Sequence, residues 1–130
     1  MAEPLILIVE DNENNKKLLR DVLRHRGYRV AEAASAEEGN ALAAAQLPAL
    51  ILMDIQLPAM SGIEALALLR ADTRTRHIPV VAVTASAMDQ DRARIMAAGF
   101  NAYQRKPISV KELLAVVRQT IDQRPVKPVQ

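Results

Sequence analysis

Short apolar runs alternate along the chain with longer segments whose apolar positions recur every three or four residues, and the alternation repeats five times. The short runs are Leu5-Ile6-Leu7-Ile8-Val9, Tyr28-Arg29-Val30-Ala31-Glu32, Leu50-Ile51-Leu52-Met53, Val80-Val81-Ala82-Val83 and Ala102-Tyr103-Gln104-Arg105. Three of them are continuously apolar, the pattern of strands buried on both faces of a parallel sheet. The second and fifth are mixed, which suits positions nearer the sheet edges.

The intervening segments carry helix signals. The first sets Leu18, Leu19, Val22 and Leu23 on one face and stops at Gly27, a residue suited to the position after a helix end. The second opens with Ser35-Ala36-Glu37-Glu38 and the last with Ser109-Val110-Lys111-Glu112, each a Ser with Glu three positions on, as in a capping box. The last carries Leu113, Leu114, Val117 and Ile121. The third runs from Ile63 to about Arg70 with Leu66 and Leu69 inward, and the fourth from near Asp89 to Gly99. Met53 and Met96 are expected in the core, His25 and His77 on the surface. Five βα units in series predict a doubly wound α/β sandwich over residues 1–122. Residues 123–130, with two prolines, read as a tail, or as the start of a linker.

Composition narrows the classes. With 130 residues, 50% of them hydrophobic, one domain with one real core is expected. No cysteine is present, which excludes disulfides, zinc thiolate sites and thiol catalysis. No signal-peptide pattern and no apolar stretch of the roughly 20 residues that span a bilayer is visible, so a cytoplasmic protein without membrane contact is expected. Seventeen basic residues against fifteen acidic give a net charge of +2. Without a basic stripe or recognition helix, that balance predicts no nucleic-acid partner.

In a doubly wound sheet, ligands bind beyond the carboxyl ends of the strands. The first apolar run leads into Glu10-Asp11, the third into Asp54, the fourth into Thr84 and the fifth into Lys106-Pro107. The second ends only in Ala33-Ala34. Three carboxylates, a hydroxyl and an ammonium thus gather on one rim. Close carboxylates repel by roughly 4 kcal/mol per pair at an effective dielectric of about 20. A hard divalent cation relieves this, and Mg²⁺ suits a few carboxylates with water and phosphate oxygens. Asp54 can then serve as a carboxylate nucleophile toward phosphorus, with Lys106 and the metal facing the phosphoryl oxygens and Thr84 offering a hydroxyl donor.

Five segments in order carry a family resemblance: Val9-Glu10-Asp11-Asn12, Leu52-Met53-Asp54-Ile55-Gln56-Leu57-Pro58, Ser61-Gly62, Pro79-Val80-Val81-Ala82-Val83-Thr84-Ala85, and Lys106-Pro107. The chain resembles the receiver domain of two-component response regulators over residues 5 to about 122. Within that family His77-Ile78-Pro79 and Lys106-Pro107-Ile108-Ser109 are most like a single-domain cell-cycle regulator. The resemblance implies a flavodoxin-like sheet of order 2-1-3-4-5. It implies Asp54 as phosphoacceptor, Glu10 and Asp11 as the acidic metal pair, and the main-chain carbonyl of Gln56 as a further Mg²⁺ ligand. It also implies Thr84 and Lys106 as phosphoryl sensors, Tyr103 as an aromatic switch, and a cis bond before Pro107. Many receivers have two aspartates where this chain has Glu10-Asp11. Glu is one methylene longer and is expected to act through water, leaving Asp11 to coordinate directly. Gly62 is read as a position needing positive φ.

The partners implied are a histidine kinase or histidine phosphotransfer protein and a downstream protein effector, with the chain a monomer or weak dimer. With about eight residues after the receiver, no output domain is expected, and phosphorylation would act through protein contact. Gln56 and Ser86, two residues beyond Asp54 and Thr84, offer no strong acid or base to activate water against the acyl phosphate. An aspartate-nucleophile phosphatase of the haloacid dehalogenase type needs an acid at Gln56 and fails there. A pseudo-receiver that never takes phosphate remains the alternative, although such domains usually lose the acceptor, an acid or the lysine.

Overall fold

The computed structural model describes residues 3–85 and 89–122; Ser86 and the 123–130 segment lie outside the described residues. Ten elements alternate: β1 Leu5–Val9, α1 Glu13–His25, β2 Arg29–Ala33, α2 Ala36–Gln46, β3 Leu50–Asp54, α3 Gly62–Ala71, β4 Val80–Thr84, α4 Asp89–Ala97, β5 Ala102–Arg105 and α5 Val110–Asp122. The strands form one sheet of order β2-β1-β3-β4-β5, parallel throughout. The central strands β3 and β4 are buried along their whole length, whereas edge strand β2 is not, which is why its sequence is mixed. Among the described residues, no helix is long and apolar enough to cross a membrane.

Because strand side chains alternate between faces, each apolar run feeds two cores. Leu7, Val9, Ile51, Met53, Val80 and Ala82 pack on one face with Ala43, Leu66, Leu69 and Ile95 of α2, α3 and α4. Ile6, Ile8, Leu50, Leu52, Val81 and Val83 pack on the other with Leu19, Leu23, Leu113 and Val117 of α1 and α5.

Several local expectations change. Met96 is 41% exposed, while Ile95 is buried. Only one face of α4 meets the sheet, and successive helical residues point about 100° apart, so Ile95 takes the inward place. Leu18 is 37% exposed and Leu19 fully buried, which divides the expected apolar face of α1. Gly62 does not adopt positive φ; Gly27 and Gly99 do. At Ser35 the hydroxyl accepts from the Glu38 N–H as expected, but the Glu38 carboxylate reaches one residue further back, to the Ala34 N–H. A complete capping box instead starts α3, where Ser61 Oγ accepts from the Glu64 N–H and Glu64 Oε1 from the Ser61 N–H. His25 and His77 are exposed.

Candidate functional site

Strand register sets the depth of each rim residue. Val9 lies opposite Met53, so Glu10 and Asp54 come level one residue further on. Strand alternation puts Glu10 on the Ile6 and Ile8 face and Asp54 on the Leu50 and Leu52 face, which is the same face of the sheet. Glu10 is accordingly only 1% exposed and Asp54 3%, while Asp11, one residue past the turn of the pleat, is exposed. Oxygens of Glu10, Asp11 and Asp54 lie within 4.8 Å of one another.

Lys106 projects from beyond β5, where its N–H donates to the Thr84 carbonyl at 2.7 Å. The Lys106–Pro107 peptide bond is cis. The lysine stem reaches back along the rim, and its ammonium donates to Asp54 Oδ2 at 3.0 Å. The same ammonium stands 3.0 Å from Glu10 Oε1, forming an ion pair with this buried oxygen. Glu10 Oε2 accepts from the Asn12 N–H at 3.1 Å, and Asn12 Oδ1 accepts from the Asn15 N–H, capping α1. The cap that starts α1 therefore also holds one oxygen of Glu10. Asp54 Oδ1 accepts from the Gln56 N–H at 2.8 Å.

The electrostatics of this cluster are opposed. Burial raises the Glu10 pKa above its ordinary value; the Asn12 N–H and Lys106 work against that rise, and the Asp54 charge adds to it. For Lys106 burial acts to lower the pKa, but Asp54 and Glu10 outweigh it and hold the ammonium charged above its ordinary range. One ammonium contacts Glu10 and Asp54, two of the three clustered acids. The donor set is all oxygen, and two of the three acids are buried with one ammonium between them; both features fit a hard divalent cation such as Mg²⁺. Glu10, Asp11 and Asp54 could hold it.

Thr84 is buried at the end of β4, and Tyr103 is half-buried on β5. Ala82 lies opposite Tyr103, and Thr84 opposite Arg105, so Thr84 and Tyr103 share the sheet face that packs on α3 and α4. The Arg92 guanidinium of α4 lies 4.9 Å from the centre of the Tyr103 ring, a contact no sequence pattern announces. Gly62 is also part of the site, for a reason other than φ. A Cβ there would sit 2.6 Å from the main-chain oxygen of Asp54 and 2.9 Å from Ile55 Cα. Gly62 donates its N–H to the Ile55 carbonyl, tying the start of α3 to the loop after β3.

Residues 6–118 match the family model described as the response regulator receiver domain. The chain is 48% identical to the polar-differentiation response regulator DivK of Brucella ovis over 113 residues, covering 87% of this chain and 92% of the relative. Among solved structures it is similar to the receiver domain of a sensor histidine kinase from Pseudomonas aeruginosa PAO1. That crystal structure has a magnesium ion coordinated in the active site cleft; the TM-score is 0.86 and the identity 36%, with 94% of this chain and 100% of that one covered. A response regulator structure from Chloroflexus aurantiacus matches with a TM-score of 0.89 and 30% identity over 93% of this chain and 99% of that one. With a five-stranded sheet of order 2-1-3-4-5 and the family model spanning nearly its whole length, the chain belongs to the response regulator receiver domain family.

Proposed function

We propose that the chain is a phosphorylation switch in which Asp54 accepts a phosphoryl group from a histidine kinase or histidine phosphotransfer protein and the modified domain signals by protein contact. The observation that carries this is the Asp54 carboxylate, 3% exposed, held 3.0 Å from the Lys106 ammonium within a three-acid cluster. A carboxylate oxygen of Asp54 attacks phosphorus; the P–N bond to the donor imidazole breaks, its electron pair stays on nitrogen, and an acyl phosphate forms. Asp11 and Asp54, with Glu10 through water and the Gln56 carbonyl, would hold Mg²⁺. Bound there, the ion supplies positive charge to the phosphoryl oxygens and relieves the repulsion among the acids.

Lys106 would supply the remaining positive charge at the site. Its ammonium contacts both Asp54 and Glu10, and it is placed to follow charge onto the new phosphoryl oxygens. Thr84 offers its hydroxyl to one of them. Phosphorylation adds about −1.5 to −2 charges to this rim. Movement of Thr84 toward that charge changes the packing on its sheet face, where Tyr103 follows, and the surface of α4, β5 and α5 changes with it. A groove of about 550 Å³ runs along that surface between Tyr103, Lys106, Pro107, Glu112 and Val116, and a downstream protein would read it. The phosphodonor would dock on α1, where Leu18 is exposed.

Borohydride reduces an aspartyl phosphate to homoserine. After phosphorylation and reductive trapping, peptide mapping is expected to find homoserine at position 54. Homoserine at another aspartate would overturn the assignment.

A further inference from the structure

Arg92 and Tyr103 come from different elements and meet face to charge. Arg92 is exposed on α4, makes no ion pair among the described residues, and sets its guanidinium 4.9 Å from the centre of the Tyr103 ring. An arginine at that distance over an aromatic face is attracted to the negative face of the ring, and planar guanidinium favours the stack. Tyr103 also packs against the apolar core shared by α2, α3 and α4, and it lines the groove beside α5. Tyr103 therefore sits between a packed core and a cationic cap, on the same sheet face as Thr84.

We propose that Arg92 is a positioning residue for Tyr103: its guanidinium favours the ring position of the unphosphorylated domain and so sets how readily the switch turns. This rests on the reading of Tyr103 as the aromatic switch. Arg92 touches neither Asp54 nor the acids around it, so it acts only through the ring. An exposed cation–π contact biases the two ring positions by about two- to five-fold. Whatever favours the resting position must equally weaken the response to phosphoryl binding, because the two equilibria are linked.

The test uses the full chain carrying ¹³C-labelled tyrosine, with the Tyr28 signal assigned through Tyr28→Phe. Beryllofluoride with Mg²⁺ serves as the phosphoryl probe, and the Tyr103 ring resonance is followed as the probe is titrated. In Arg92→Gln the half-saturating probe concentration is expected to fall about two- to five-fold, and the unliganded resonance to shift toward its saturated position. Arg92→Lys, which keeps the charge but loses the planar stack, is expected to fall between the two. Arg94→Gln removes the same charge from the same helix and is expected to behave as the unaltered protein. Equal titrations of Arg92→Gln and the unaltered protein, with Tyr103 responding in both, would overturn the role of Arg92 and leave the Tyr103 reading standing. Equal shifts in Arg92→Gln and Arg94→Gln would also overturn it, by showing a general charge effect. A Tyr103 resonance that ignores the probe in every variant would overturn the switch reading itself and the role of Arg92 with it.

Discussion

Gly62 lies so close beneath the site that a Cβ on it would approach the main-chain oxygen of Asp54 to 2.6 Å. The obstacle is backbone on both sides, Asp54 O and Ile55 Cα, and cannot swing away as a side-chain end would. Gly62→Ala must shift the start of α3 or the end of β3, and overpacking of this kind costs roughly 1–3 kcal/mol. Urea unfolding is expected to show that loss, accompanied by slower labelling from acetyl phosphate because Asp54 is displaced. Unchanged stability would mean the contact relaxes without consequence.

Glu10 gives a pH dependence with a defined sign. Its folded-state pKa is raised above the ordinary 4.5, chiefly by burial, so the native state of the metal-free protein binds more protons than the unfolded state above that value. Stability without divalent cations is expected to fall as pH rises through the range just above 4.5. Glu10→Gln removes a group whose charged form is disfavoured, and is expected to flatten this dependence while shrinking the stabilisation that Mg²⁺ provides. Thermal unfolding in chelator and in Mg²⁺, over a pH series, checks both. A steeper dependence in Glu10→Gln would show that Lys106 more than compensates the buried charge.

Arg70 is a structural pin away from the chemistry. Its guanidinium donates to the Arg76 and Ile78 carbonyls at 3.0 and 2.7 Å and to Asn101 Oδ1 at 3.0 Å, and Asn101 Oδ1 also accepts from the Val80 N–H. The end of α3 is thus tied to the starts of β4 and β5. Burial lowers the Arg70 pKa, yet the group keeps its donors engaged. Arg70→Met is expected to cost roughly 2–3 kcal/mol, since it leaves carbonyls without a charged donor. Denaturant midpoints measure this, and phosphoryl stoichiometry on Asp54 should not change.

Leu47 is the reverse case, a residue poorly matched to its backbone. It ends α2 with φ 49° and ψ 63°, and its side chain is 56% exposed. A β-carbon in the left-handed region is strained, and glycine is the usual residue there. Leu47→Gly is expected to raise stability by about 0.5 kcal/mol after the entropic cost of glycine is counted. A loss of stability would show that the exposed leucine packs in solution.

The three inner strands and the five rim residues are legible along the chain because two-sided burial writes continuous apolar runs and the polar residues stand directly after the runs. Val9-Glu10 and Met53-Asp54 show this most simply. The strand order, by contrast, comes only with the family resemblance. Other features depend on tertiary context. That Glu10 is the buried acid and Asp11 the exposed one comes from strand alternation continued past β1. Gly62 stands out in the sequence, but not the reason for it, since a close approach between α3 and β3 leaves no mark beyond the glycine itself. Met96 reads as core because α4 is short and its neighbour Ile95 satisfies the same pattern. The Arg92–Tyr103 contact joins residues from different elements and has no local signature.

If Asp54 takes up a phosphoryl group with help from a divalent cation, one sample in a set of four gains its mass. The unaltered protein and Asp54→Asn are each incubated with acetyl phosphate, once with Mg²⁺ and once with chelator, and their intact masses measured. One phosphoryl group is expected on the unaltered protein with Mg²⁺ and none in the other three samples. Equal labelling of Asp54→Asn, or labelling undiminished by chelator, would contradict the proposed role of Asp54 and its metal.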